Sequence, residues 1–213
     1  MSSDKPVVIV GAGGHGKVLL DICHAIGSRV AGFLDADTTL PPQIHGAPIL
    51  GSDAMLEDQS FVVAHAFVLG VGDPAIRSRL NTYLGQAEAE LATLVHPAAV
   101  VSEFVEIGGG STVHAGAIVN IDARIGGHCV VNTGASVDHD CILSDGVQIG
   151  PGATLAGGVT CQPNVFVGTG ASILPNVTIG KDAVVGGGSS VANDVPGGVT
   201  VYGVPARIVR QAG

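Results

Sequence analysis

The 213 residues carry nine Lys and Arg against eighteen Asp and Glu, a formal charge of −9; such a field repels nucleic acid and anionic membrane surfaces and leaves any polyanionic ligand to local groups. The length admits one or two domains. A mean hydropathy of +0.48 comes with only 3% aromatic residues and no 18-residue apolar span, so stacked strands of Val, Ile, Ala and Gly are expected in place of a membrane helix.

The first residues lack a basic region followed by a long apolar run, and Cys23, Cys129, Cys141 and Cys161 form no C-x-x-C pair, which predicts a reduced, cytoplasmic protein. Residues 6–10 read as a short strand. Gly11-Ala12-Gly13-Gly14-His15-Gly16 follows at once, and then an amphipathic helix over 17–25. Glycines 11, 13 and 16 have the spacing that lets backbone approach a phosphate at a helix N-terminus. A second strand, 29–34, ends in Asp35-Ala36-Asp37 about twenty positions after the loop, where a dinucleotide fingerprint places its acidic residue. A complete dinucleotide fold needs a second half that the short domain lacks, so the reading is a Rossmann-like βαβ domain for some nucleotide-bearing ligand, with a bare βα turn as the bland alternative.

Residues 41–51 carry turn chemistry around a short strand at 47–50, and 61–71 reads as a buried strand. Gly70-Val71-Gly72-Asp73-Pro74 ends it and starts a helix, with Asp73 as N-cap and Pro74 at the first helical position. Ligands sit at the C-terminal edge of a parallel sheet, so Gly11, Asp35 and the loop of Gly72 and Asp73 are expected to converge on one crevice.

From Val95 to Val191 an aliphatic or small residue returns every sixth position: Val95, Val101, Ile107, Val113, Val119, Ile125 and onward. Neither a helical nor a simple strand period does this; a six-residue repeat is the mark of a parallel β-helix. Three six-residue sides make an 18-residue coil, and the fourth position after each repeat residue is small or apolar, filling a narrow interior that excludes aromatic rings. Cys129, Cys141 and Cys161 fall on inward positions and read as packing residues. Two domains result, 1–94 and 95–213.

The sixfold aliphatic period with small fourth positions, ending in Gly203-Val204-Pro205-Ala206, resembles the hexapeptide-repeat acyltransferases. With Gly11-Ala12-Gly13-Gly14-His15-Gly16 in front and Val137-Asp138-His139-Asp140-Cys141 within the repeat, the chain is similar to a narrower group. These are bacterial N-acetyltransferases of nucleotide-linked amino sugars, such as those that make acetylated bacillosamine precursors and N-acetylperosamine; sialic-acid-type O-acetyltransferases share the layout.

The resemblance implies a left-handed β-helix, a homotrimer and acetyl-CoA as cosubstrate, with the nucleotide sugar held by the N-terminal domain. It implies His139 as general base, Asp140 as its carboxylate and Gly157 as a backbone donor to the thioester carbonyl. Coil arithmetic agrees, since position 157 lies 18 residues above 139. Asn132 matches a residue near the substrate amine, although asparagine also suits β-helix corners. Gln148 stands where some relatives carry a second histidine. Gly11, Gly13, Gly14, His15, Asp35, Gly72 and Asp73 are candidates for the nucleotide sugar, and Gly157, Gly186, Gly187, Lys181 and Arg207 for coenzyme A.

His114, His128 and His139 are not separated by whole coils, which argues against a zinc site. The expected activity is acetyl transfer to a UDP- or GDP-linked 4-amino-6-deoxysugar for surface glycans. The alternatives are sugar O-acetylation and a non-catalytic nucleotide-sugar-binding trimer.

Overall fold

In the computed structural model, which describes residues 4–211, six strands of the N-terminal region form one sheet. They are β1 (Val7–Val10), β2 (Val30–Leu34), β3 (Gln43–Ile44), β4 (Ala47–Gly51), β5 (Ala66–Leu69) and β6 (Glu90–Leu91), in the order β3-β4-β2-β1-β5-β6. All neighbours are parallel except the β3–β4 hairpin. The run Val7-Val8-Ile9-Val10 is wholly buried, as a central parallel strand covered on both faces must be. Alternate side chains go to opposite cores. Val7, Ile9, Ala66 and Val68 pack with Leu19, Leu20, Ile22 and Cys23 of α1 (Gly14–Ala25). Val8, Val10, Phe67 and Leu69 pack instead with Leu56, Val62, Leu80 and Leu84. Those last four come from a 3₁₀ turn at Asp53–Glu57, from α2 (Gln59–Ala64) and from α3 (Pro74–Gln86).

The strand expected over 61–71 is corrected in its first half. Asp58 caps a helix there, its Oδ1 accepting the N–H groups of Ser60 at 2.9 Å and Phe61 at 3.3 Å. α2 closes at His65, whose Nδ1 lies 2.7 Å from the Phe61 carbonyl. An N-cap overrides the β preference of Phe61, Val62 and Val63. His65 is thus a helix cap, not a strand residue. The helix expected from 17 begins earlier, at Gly14, so the glycine loop is partly its first turn.

The chain divides into two units between Leu94 and Val95. Beyond that point two-residue strands recur every six residues and pair in parallel with the strand 18 positions on, as Ser136–Val137 does with Thr154–Leu155. Three sheets of eight, six and five strands result, the first of which includes Leu94–Val95 and the closing hairpin. From Val113 to Val191 every repeat residue is buried, and so is every fourth residue after it from Ala117 to Ser189. The third residue after each repeat residue, from Gly110 to Gly188, has positive φ without exception. That conformation restricts the position to Gly, Asn, Asp and His, the residues that tolerate it. The coil ends in an antiparallel hairpin of Val199–Gly203 and Ala206–Gln211.

Candidate active site

In the N-terminal unit, Gly11, Gly13, Gly14, His15, Asp35 and Gly72 line one cavity of about 410 Å³, so six of the predicted residues meet. The reason is topological, since all six follow β1, β2 or β5 at the same sheet edge. Gly16 is required by packing, because a Cβ there would collide with the Gly11 carbonyl. α1 has no side-chain N-cap, which leaves its first N–H groups available to an anion. Asp35 ties the edge together, with Oδ2 accepting Ala12 N–H at 2.7 Å and Oδ1 accepting Asp37 N–H at 2.9 Å. Asp73 does not line the cavity. Its carboxylate caps α3, accepting Ile76 N–H at 2.9 Å.

Three residues that sequence reasoning did not single out shape this edge. Arg77 is buried, and its guanidinium donates to the Leu69 and Val71 carbonyls, each at 2.9 Å, fixing the loop after β5. Asp53 and Arg79 line the cavity, 3.7 Å apart. No spacing rule links them; they meet because α3 packs over the 3₁₀ turn.

In the second unit His139 and Asp140 turn off the strand Ser136–Val137 into one corner. The Asp140 carboxylate accepts the Nδ1–H of His139 at 2.7 Å, and both side chains are more than half exposed. A carboxylate can only accept, so in the neutral ring Nε2 carries the lone pair. The Asp140 hydrogen bond, with the charges of Asp138 and Asp140 behind it, raises the His139 pKa above its ordinary value of 6.5. Gly157 sits one coil above, and its Cβ position is occupied by the His139 ring, Cε1 and Nε2 nearest. The Gly158 N–H binds the His139 carbonyl at 3.0 Å, whereas Gly157 N–H meets no acceptor among the described residues. A ring nitrogen with a free lone pair therefore lies beside an unengaged backbone donor. A further cavity, of about 400 Å³, flanks the corner and is lined by Phe104, Glu106, Asp122, Arg124, Asp140 and Ile142.

Asn132 lies elsewhere. It turns off Val130–Val131, one side earlier in the coil, and its Oδ1 accepts Thr133 N–H at 2.8 Å. Gln148, in the same sheet, is buried at 6% exposure. Gly186 lies under the Tyr202 ring, which leaves no room for a Cβ and accounts for the glycine by packing. Gly187, Lys181 and Arg207 are exposed. Cys141 and Cys161 are buried with desolvated thiols whose pKa values are raised, so neither is a ready nucleophile. No group able to hold a metal ion occurs among the described residues.

The coiled hexapeptide repeat, taken with the proteins it resembles, puts the chain among the acetyltransferases of the left-handed β-helix class. Residues 6–84 match the PglD N-terminal domain family. The chain is 38% identical to GDP-perosamine N-acetyltransferase of Caulobacter crescentus, solved as a histidine mutant with CoA and GDP-perosamine; the match covers 99% of this chain and 100% of that one with a TM-score of 0.91. The acetyltransferase domain of PglB from Neisseria gonorrhoeae, solved with acetyl coenzyme A, is 33% identical over 97% of this chain and 100% of that one, with a TM-score of 0.90. UDP-N-acetylbacillosamine N-acetyltransferase of Bacillus subtilis is 40% identical over 118 residues, half of this chain and half of that protein. The chain belongs to the family of N-acetyltransferases that the Caulobacter and Neisseria proteins represent.

Proposed function

We propose that the protein transfers the acetyl group of acetyl-CoA to the amine of a nucleotide-linked 4-amino-6-deoxysugar. The observation that carries this reading is the His139 corner, where Nε2 has a free lone pair and the Gly157 N–H is unengaged. His139 Nε2 takes the proton of the attacking amine as the new C–N bond forms. Gly157 N–H donates to the oxyanion of the tetrahedral intermediate. Collapse breaks the C–S bond, and His139 returns its proton to the departing thiolate of coenzyme A. Transfer is direct, because the nearby thiols are buried.

The glycine loop and the uncapped start of α1 suit the diphosphate, and Asp35 the nucleoside. The cavity beside Asp140, with carboxylates from Glu106 and Asp122, suits an acceptor that arrives as an ammonium and gives up one proton to solvent before it attacks as the free amine. Asn132 and His139 turn off successive corners of one chain, so bringing both to one amine requires a second copy. Exposed Val100, Ile118 and Ile121 on the outside of the coils add apolar surface for that contact. Both features support self-association, which we read as a homotrimer with coenzyme A held between neighbours; the reading further takes the protein to act in the cytoplasm on precursors of surface glycans. No helix among the described residues is long and apolar enough to cross a membrane.

Thiol release from acetyl-CoA, measured with a panel of UDP- and GDP-linked 4-amino sugars and with sialic acid, tests the reading. Release with at least one amino sugar is expected, along with its loss in His139→Asn. Release with sialic acid alone would replace N-acetylation by O-acetylation, and no release with any acceptor would leave only a binding protein. A monomer by light scattering would remove the trimer.

A further inference from the structure

One polar pair at the His139 corner stands outside the reacting set. Asp138 Oδ1 accepts the backbone N–H of His139 at 2.8 Å and, also at 2.8 Å, the Nδ2–H of Asn120 one coil below. A second Asn–Asp tie joins Asn164 Nδ2 to Asp182 Oδ1 at 2.9 Å, but it links two left-handed corner residues and serves to stitch coils together. Asn120 and Asp138 have no such backbone requirement. The Asp138 oxygen that accepts from Asn120 also accepts the amide that opens the catalytic pair. We propose that Asn120 and Asp138 form a positioning pair for His139, in which Asp138 clamps the histidine amide and, steadied by Asn120, keeps a second carboxylate charge beside the imidazole.

The inference rests on the reading of His139 as the base. Ring and main chain are then held from different sides, by Asp140 at Nδ1 and by Asp138 at the amide, while Gly157 overhead leaves the ring edge open. The hydrogen bonds from Asn120 and from the His139 amide hold the Asp138 carboxyl below its ordinary range, so it stays charged through neutral pH. Its charge is one of the causes that raise His139. The other charged groups at this corner are Asp140 itself and Glu106, Asp122 and Arg124, which share the cavity flanking Asp140. The coil above contributes Ala156, Gly157 and Gly158, none of them charged.

The test uses the full chain as wild type, Asp138→Asn and Asn120→Ala. The His139 ring is titrated by NMR, its resonance assigned by its loss in His139→Gln, and kcat and KM are measured against pH on the same proteins. Asp138→Asn keeps an acceptor oxygen but not the charge. The ring titration and the acid limb of kcat should both move to lower pH. Asn120→Ala frees the carboxylate and should cut kcat roughly tenfold with both KM values unchanged, the signature of a misplaced base. An unmoved ring titration in Asp138→Asn, or an unchanged kcat in Asn120→Ala, overturns the pair. Full activity in His139→Gln would instead remove the base, and since the ring titration needs no turnover, the two failures are distinct.

Discussion

In the β-helix a residue's address is a column and a coil, whereas in the N-terminal unit it is the end of a particular strand. His139 and Gly157 share a column one coil apart, and their contact follows from the 18-residue offset alone. Gly11, Asp35 and Gly72 meet because β1, β2 and β5 lie side by side in an order that no spacing reveals. A repeat therefore specifies contacts between distant residues by arithmetic, and an open sheet specifies them by topology.

Glycines test this contrast most sharply. In Gly157→Ala the new methyl group enters the space of the His139 ring, and acetyl transfer should fall about 100-fold with little change in melting temperature. An active Gly157→Ala enzyme would mean that the contact is incidental. Gly186→Ala sits at another corner, where the methyl meets the Tyr202 ring. Overpacking there should cost about 1–3 kcal/mol of stability, read as an earlier denaturant midpoint. A weakened acetyl-CoA KM without that loss would make Gly186 a binding residue instead.

The N-terminal unit is sharpened by Asp35→Asn, which sets an amide NH₂ against either Ala12 N–H or Asp37 N–H, since both are donors. The KM for the nucleotide sugar should rise roughly tenfold while that for acetyl-CoA stays put. Equal changes in both would break the division of labour between the two units. The smallest effect is one of pH. His139 acts as a base only when neutral, and its folded-state pKa is raised, so kcat should fall with decreasing pH through a midpoint above 6.5. A midpoint below 6.5 would contradict the geometry of the Asp138 and Asp140 charges.

What the sequence makes legible follows the same division. The sixfold period yields the inward residues, the corners and the His139–Gly157 contact, because each coil repeats one backbone path. The same offset applied to Asn120 reaches Asp138, so that pair was within reach of the arithmetic. Asp73 and Pro74 announce the start of α3 through chemistry local to four residues. Phe61, Val62 and Val63 mislead, since three β-favouring residues follow an Asp58 cap that wins locally. Arg77 and the Asp53–Arg79 contact are illegible for a different reason. They depend on how α3 crosses the sheet, which is settled by the packing of Leu80 and Leu84 against Leu56 and not by any motif.

The left-handed residue at each corner has an effect beyond folding. Because the coil admits only Gly, Asn, Asp or His there, the scaffold limits its own surface vocabulary to residues that are either absent as side chains or able to carry protons and hydrogen bonds. Asp140 holds such a place, with φ of 57°. Placing a histidine one position earlier was enough to give that carboxylate an imidazole to hold. Asp182 sits at the left-handed position of another corner, with Gly197 stacked over the residue before it, so one substitution at Lys181 would set an imidazole beside that carboxylate without disturbing the interior of the coil.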